Sequence, residues 1–297
     1  MIRIAHIIAT FRAEPSSVME FVQSVTAETM RRARATAAGM VDVALLTAQF
    51  PEDRAATPQA FHPTTDLLRS VLNQHAFAVP RRLPLLCDVL DRMTEIDTDY
   101  CIYTNVDIAL QPHFYLAVRG YIERGFDAFV INRRSIYGNF TSAEEIPRMQ
   151  AERGSPHPGY DCFVFRREHL TRFVPGRVCL GIGHVDLPLV CSMIAAADCF
   201  GEFRDEHLTF HLGDDRVWQG HSYADYRRYN DREALMALRM LALQEGVANQ
   251  CGFLYRLLLA LGLPWNRLCV REWTRLMRAS RPPGVIRESS SKSTILR

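Results

Sequence analysis

The residues best suited to chemistry lie in one short run, Asp99-Tyr100-Cys101-Ile102-Tyr103-Thr104-Asn105-Val106-Asp107. Apolar side chains dominate as far as Tyr103, and polarity then switches to Asn105 and Asp107. Two oxygen-bearing side chains at i, i+2, ending a buried strand, sit where open α/β sheets bind ligands. Such oxygens suit hard cations, Mg²⁺ or Mn²⁺, which share their shell with a diphosphate. The same spacing also fits a plain strand end with a polar turn.

Three later stretches carry further candidates. His157-Pro158-Gly159-Tyr160-Asp161 is a tight turn entering a strand. Gly181-Ile182-Gly183-His184-Val185-Asp186 sets a carboxylate at the start of a helix, where it either faces a cleft or caps the helix. Phe210-His211-Leu212-Gly213-Asp214-Asp215-Arg216-Val217-Trp218 places a His after a short apolar stretch, with His207 as its neighbouring rival.

Composition narrows the chemistry. The 297 residues are 48% hydrophobic and 23% charged, with a net charge of +2, an ordinary globular balance. Beyond Ser280 stand Arg281, Arg287, Lys292 and Arg297 against Glu288. The remaining body is therefore near neutral, without the field a nucleic-acid partner requires. Lys292 is the sole lysine. A P-loop, a pyridoxal Schiff base and a protein-kinase strand each need a lysine within the fold. Phosphate must then be met by Arg, metal, helix N-termini or backbone N–H groups. The eight cysteines contain no C-x-x-C, so a reducing compartment is expected, without disulfide framework or zinc site. Ile2–Ile8 is too short for a signal peptide, and no run approaches the roughly 20 apolar residues of a membrane span. A cytoplasmic location is expected, with contact at the inner face of a membrane as an option.

The elements that must position these residues alternate. Strands are expected over Ile2–Thr10, Val41–Leu46, Tyr100–Tyr103, Ala128–Asn132, Tyr160–Phe165 and Thr209–Leu212. Helices are expected from Pro15 to Ala38, around Asp66–Gln74, and over Pro84–Met93, Pro112–Glu123 and Leu187–Ala197. Helical patterning continues over Asp231–Gln244 and Leu254–Met277. Strand–helix–strand alternation at this spacing implies a parallel sheet with right-handed crossovers. Three units are expected: a catalytic domain at 1–220, a helical extension at 221–280, and a disordered tail at 281–297.

Asp99–Asp107, with the helix and strand after it, resembles the core of a nucleotide-sugar glycosyltransferase of the GT-A fold. The resemblance covers roughly residues 2–218. It implies an α/β fold with a mixed, mainly parallel sheet flanked by helices. It also implies transfer of a sugar from a nucleoside-diphosphate donor, a UDP- or GDP-sugar, to a hydroxyl of a saccharide acceptor, a glycan or lipid-linked saccharide, as in polysaccharide biosynthesis. In that family a DXD motif holds Mn²⁺ or Mg²⁺ on the diphosphate. Here it reads Asn105-Val106-Asp107, so Asp107 would be the main ligand, with Asn105 on the ribose or a metal-bound water. His211 would complete the metal shell. Thr10 and Arg12 correspond to the base pocket. Arg82 either approaches the nucleotide or belongs to a solvated pair with Arg81.

Asp161 corresponds to a donor-sugar contact, or caps its turn. His157, Tyr160, His184 and Trp218 fall on the acceptor side, where Trp218 stacks on a sugar or simply packs. Asp186 would be the general base of an inverting enzyme, or a hydroxyl-binding group in a retaining one. The apolar, Arg- and Trp-bearing stretch 250–280 either packs on its own domain or lies on an anionic membrane. Two rival activities remain. A sugar-phosphate nucleotidyltransferase normally has glycines after its first strand, where Ala9-Thr10-Phe11-Arg12 has none. A catalytically silent carbohydrate-binding protein would tolerate Asn105.

Overall fold

A computed structural model describes residues 1–157, 159–213, 217–243 and 286–288. Its strands are β1 (Ile2–Ala9), β2 (Val41–Ala48), β3 (His62–Pro63), β4 (Tyr100–Thr104), β5 (Ala109–Leu110) and β6 (Ala128–Ile131). They continue with β7 (Arg134–Ile136), β8 (Ser155–Pro156), β9 (Cys162–Arg166), β10 (Phe200–Phe203), β11 (Thr209–Leu212) and β12 (Ile286–Glu288). The α-helices are α1 (Val18–Thr36), α2 (Leu86–Arg92), α3 (Phe114–Glu123), α4 (Ile146–Ala151), α5 (Asp186–Ala196) and α6 (Ala224–Leu243).

The large sheet has the order β12-β10-β6-β9-β4-β1-β2-β3. Only β9 runs antiparallel, wedged between β4 and β6; the other pairs are parallel. The strands are apolar on both sides, as a sheet covered on both faces requires. Alternation splits each strand. Ile4, Ile8, Ile102 and Phe129 join Met30 and Ala33 of α1 and Phe114 and Val118 of α3 in one core layer. Ala5, Ile7, Cys101, Tyr103 and Val130 join Leu86 and Val89 of α2 and Leu189 and Met193 of α5 in the other.

Helix α1 begins at Ser17, whose hydroxyl accepts the Glu20 N–H at 3.2 Å, a standard N-cap. It buries Val22, Val25, Thr26, Thr29, Met30 and Ala33, the three-and-four spacing of a one-sided helix. The chain turns into β2 through Gly39 at φ +79°, a left-handed position that suits glycine.

A second, small sheet has the order β5-β11-β7-β8. It is why the site exists. After β4 the chain crosses into β5 within Asn105–Ile108, and after β6 it crosses into β7 within Asn132 and Arg133. Both crossings leave the large sheet at the same end, since β4 and β6 each pair antiparallel with β9. Polar residues at these corners are therefore gathered between the two sheets.

One sequence expectation is corrected, and two others meet described residues. The helix expected around Asp66–Gln74 is only a 3-10 turn, Val71–Asn73, closed by Ser70 and Asn73 side chains. Of the stretch 281–297 only 286–288 are described, and they form β12, which pairs with β10. The expected extension begins inside the body: α6 packs on α5, and its Tyr226, Asn230 and Ala234 are fully buried. The stretch 250–280 lies outside the described residues. No described helix is long and apolar enough to cross a membrane.

Candidate active site

Asp107 lies in the corner between β4 and β5. Its Oδ2 meets His211 Nε2 of β11 at 3.2 Å. His211 Nδ1–H donates to the Gly213 carbonyl at 2.9 Å, which fixes the ring with Nε2 toward Asp107. Asp107 Oδ1 is buried and has no hydrogen-bond partner among the described residues. Burial alone would lift the Asp107 carboxyl. The His211 hydrogen bond and the charges of His211 and Arg133 outweigh it, so the group stays below the usual carboxylate range. Burial works against the His211 cation too, yet Asp107 raises its proton affinity above that of a free imidazole.

Arg133 sits in the second corner, 8% exposed. Its Nη1 donates to Asp161 Oδ1 at 2.8 Å, an ion pair nearly sealed from water on both sides. Asp161 Oδ2 is buried without a hydrogen-bond partner among the described residues, and His157 Nε2 lies 4.0 Å from it. Charge thus runs from Asp107 through Arg133 to Asp161. It continues to Asp186, which feels the Asp161 carboxylate.

Asp186 is the first residue of α5. The N-cap position belongs to Val185, which makes no side-chain cap bond, and the Asp186 carboxylate meets the first N–H groups of the helix, its own and that of Leu187. Burial pushes the Asp186 carboxyl up to about 6; Asp161 adds to this, while His184 and the Leu187 N–H oppose it. A carboxylate with this affinity is mostly ionised at pH 7 and still basic enough to take a proton. His184 has φ +68°, and its Nδ1–H donates to Asp231 of α6.

The remaining expected residues fall in two places. Thr10, Arg12 and Arg82 gather at the ends of β1 and β2. The Thr10 N–H bonds the Ala48 carbonyl at 3.1 Å, and the Arg12 N–H bonds Asp53 at 2.8 Å. Arg82 pairs with Glu52 and lies over the Phe50 ring at 4.2 Å. Asn105, Tyr160 and Trp218 are engaged internally. Asn105 Oδ1 accepts the Tyr103 hydroxyl at 2.9 Å. Tyr160 donates to Glu202 at 3.0 Å. The Trp218 ring covers Gly183, where an added Cβ would stand 2.8 Å from Cζ3.

Arg133 and Asp231 escaped the sequence reading. For Arg133 a signal existed: Asn132-Arg133-Arg134 breaks an apolar strand as abruptly as Asn105 and Asp107 do. Asp231 had none, being one acid in a polar helix. The metal question rests on the donor set. Among the described residues no group of three His, Cys, Asp or Glu could hold an ion. Asp107 and His211 supply two ligand atoms, and the unmatched Oδ1 suits a hard cation whose other ligands are phosphate oxygens. The residues fit a shared metal–diphosphate site and do not form an all-protein cage.

The molecule has a GT-A-like fold, a mainly parallel sheet flanked by helices as in nucleotide-diphospho-sugar transferases. Among solved structures, residues 1–349 of S. aureus TarS in complex with UDP-GlcNAc align with a TM-score of 0.51 and 8% identity. That alignment covers 86% of this chain and 71% of the TarS chain. The catalytic domain of Drosophila β1,4-galactosyltransferase 7, in complex with xylobiose, aligns with a TM-score of 0.43 and 10% identity, covering 78% and 81%. No protein-family model matches the chain, and no curated protein matches it.

Proposed function

We propose that the protein transfers a sugar from a nucleoside-diphosphate sugar to a hydroxyl of a saccharide acceptor. The observation that carries this reading is Asp107. Its carboxylate is held ionised at a sheet corner, with one oxygen unmatched, and is linked through Arg133 and Asp161 to the basic carboxyl of Asp186. The fold shared with TarS, which was crystallised with UDP-GlcNAc, supports a donor of that class.

Asp107 and His211 would hold Mn²⁺ or Mg²⁺, which when bound neutralises charge on the leaving diphosphate. Thr10, Arg12 and Arg82 border the strand ends where the base and ribose would lie. The Arg133–Asp161 pair presents a fixed dipole beside the donor sugar. Asp186 takes the acceptor hydroxyl proton as that oxygen attacks the anomeric carbon. His157 and His184 flank the acceptor side. Water exclusion strengthens each of these charges.

The test is thermal protection by a panel of UDP- and GDP-sugars, with and without Mn²⁺, in the native chain and in Asp107→Ala. Metal-dependent protection that vanishes in the variant is the expected result. Protection by none of the panel sinks the reading and favours a silent carbohydrate-binding protein. Release of pyrophosphate from a sugar phosphate and a nucleoside triphosphate would make it a nucleotidyltransferase.

A further inference from the structure

Resting on the transferase reading, we propose that Asp231 of α6 is a positioning residue for Asp186, acting through His184. Three consecutive residues of α6 grip the segment that leads into α5. The Tyr229 hydroxyl donates to the Arg177 carbonyl at 2.9 Å. Asn230, fully buried, accepts the Cys179 N–H at 2.9 Å and donates to the carbonyls of Cys179 at 3.0 Å and Gly183 at 3.1 Å. Asp231 then accepts from His184.

The gripped turn is confined from the other side as well. Trp218 packs on Gly183 and leaves no room for a side chain there. His184 adopts a left-handed backbone, which a non-glycine residue rarely adopts. Such strain persists only where the surroundings impose it. Here the Asn230 bonds and the Asp231 ion pair impose it, two residues before Asp186.

Charge follows geometry. His184 faces Asp231 from α6 and Asp186 from α5; Asp186 faces His184 and, from the entry to β9, Asp161. Burial disfavours the His184 cation, but Asp231 and then Asp186 raise its proton affinity overall. His184 in turn draws the Asp186 carboxyl down, against burial and Asp161. Removing the Asp231 charge frees His184 to lose its proton earlier, and the Asp186 carboxyl then binds its proton more tightly.

The experiment uses the full chain and UDP-GlcNAc, whose hydrolysis is followed from pH 5 to 9 in the native protein, Asp231→Asn, Asp231→Glu and His184→Asn. Asparagine at 231 still accepts the ring N–H but carries no charge, and asparagine at 184 tolerates positive φ. Both amide variants should move the acid limb of kcat/KM upward by about half a pH unit or more. KM should stay within about twofold, and Asp231→Glu should restore the limb. A fall in kcat with an unmoved limb overturns the proposal. If Asp231→Asn does not fold, His184→Asn decides alone. If none of the UDP- and GDP-sugars of the panel protects or turns over, the transferase reading fails separately. The Asp186 carboxyl titration, followed by ¹³C NMR in the same proteins, then decides: a raised midpoint supports the coupling and an unmoved one removes it.

Discussion

Two aspartate–histidine pairs lie at opposite ends of the large sheet, and they are built from the same residue types for different ends. Asp127 precedes β6. Its two oxygens accept the N–H groups of Asp198 and Cys199, each at 2.9 Å, and His169 Nε2 stands 3.3 Å away. Burial would raise the Asp127 carboxyl; His169 and those N–H groups hold it low. Every oxygen has work within the fold. Asp107 is held low as well, yet one of its oxygens has no hydrogen-bond partner among the described residues. Buried polar groups are nearly always satisfied. An ionised carboxylate left half-matched therefore points to something outside the chain, whereas both oxygens of Asp127 are taken by backbone N–H groups, even though His169 Nε2 beside them makes no hydrogen bond among the described residues.

This contrast can be broken by substitution. Asp107→Ala should lower donor turnover by about 10²–10³-fold while the thermal midpoint moves by no more than about 2 °C. Retained donor affinity in a calorimetric titration would undo the assignment. Asp186→Asn sharpens it: donor binding should persist while turnover falls by about 10²-fold or more. The stability sign is also fixed. With its folded affinity raised to about 6, Asp186 makes the native state hold a proton that the unfolded chain releases at lower pH. Stability from this group is therefore lost as pH rises from the ordinary carboxyl range through about 6. At pH 7 the asparagine variant should melt higher than the native protein, and at pH 4 the gain should vanish.

Asp127→Ala should do the reverse of Asp107→Ala. Two buried N–H groups lose their acceptors, at about 2–3 kcal/mol by urea unfolding, while donor affinity of the folded fraction stays within about twofold. Loss of donor affinity there would mean that the two pairs do not differ as described. The smallest effect is expected at Arg82. Its pair with Glu52 is exposed, at 43% and 51%, and such pairs contribute about 0–1 kcal/mol. Arg82→Ala should leave stability within about 0.5 kcal/mol and raise the donor KM by less than about tenfold.

Much of this was legible before the structure. The runs Ile2–Thr10 and Tyr100–Tyr103 read as strands because apolar residues dominate them, and the family resemblance put Asp107 with His211 across more than a hundred residues. What was hidden is instructive. Of the small sheet only β11 was expected; its partners β5, β7 and β8 are strands of two or three residues, too short for any periodicity to register. Without that sheet the corner at Arg133 cannot be anticipated, so its burial against Asp161 was invisible. The α6 contacts were hidden for another reason. Asn230 and Asp231 look like solvent-facing polar residues, and only the close approach of α6 to 177–184 turns them inward.

The reversed strand β9 sets an order of assembly. Its five residues are, among the described residues, the sole bridge between β4 and β6. Until Arg166 leaves the ribosome, the early strands β3-β2-β1-β4 have no hydrogen-bonded route to β6. The nascent chain therefore carries an open β4 edge through roughly sixty residues of synthesis, and unpaired edges of this kind invite wrong partners. Insertion of one short segment seals that edge and brings the corner after β4 alongside the corner after β6 at the moment the sheet becomes whole.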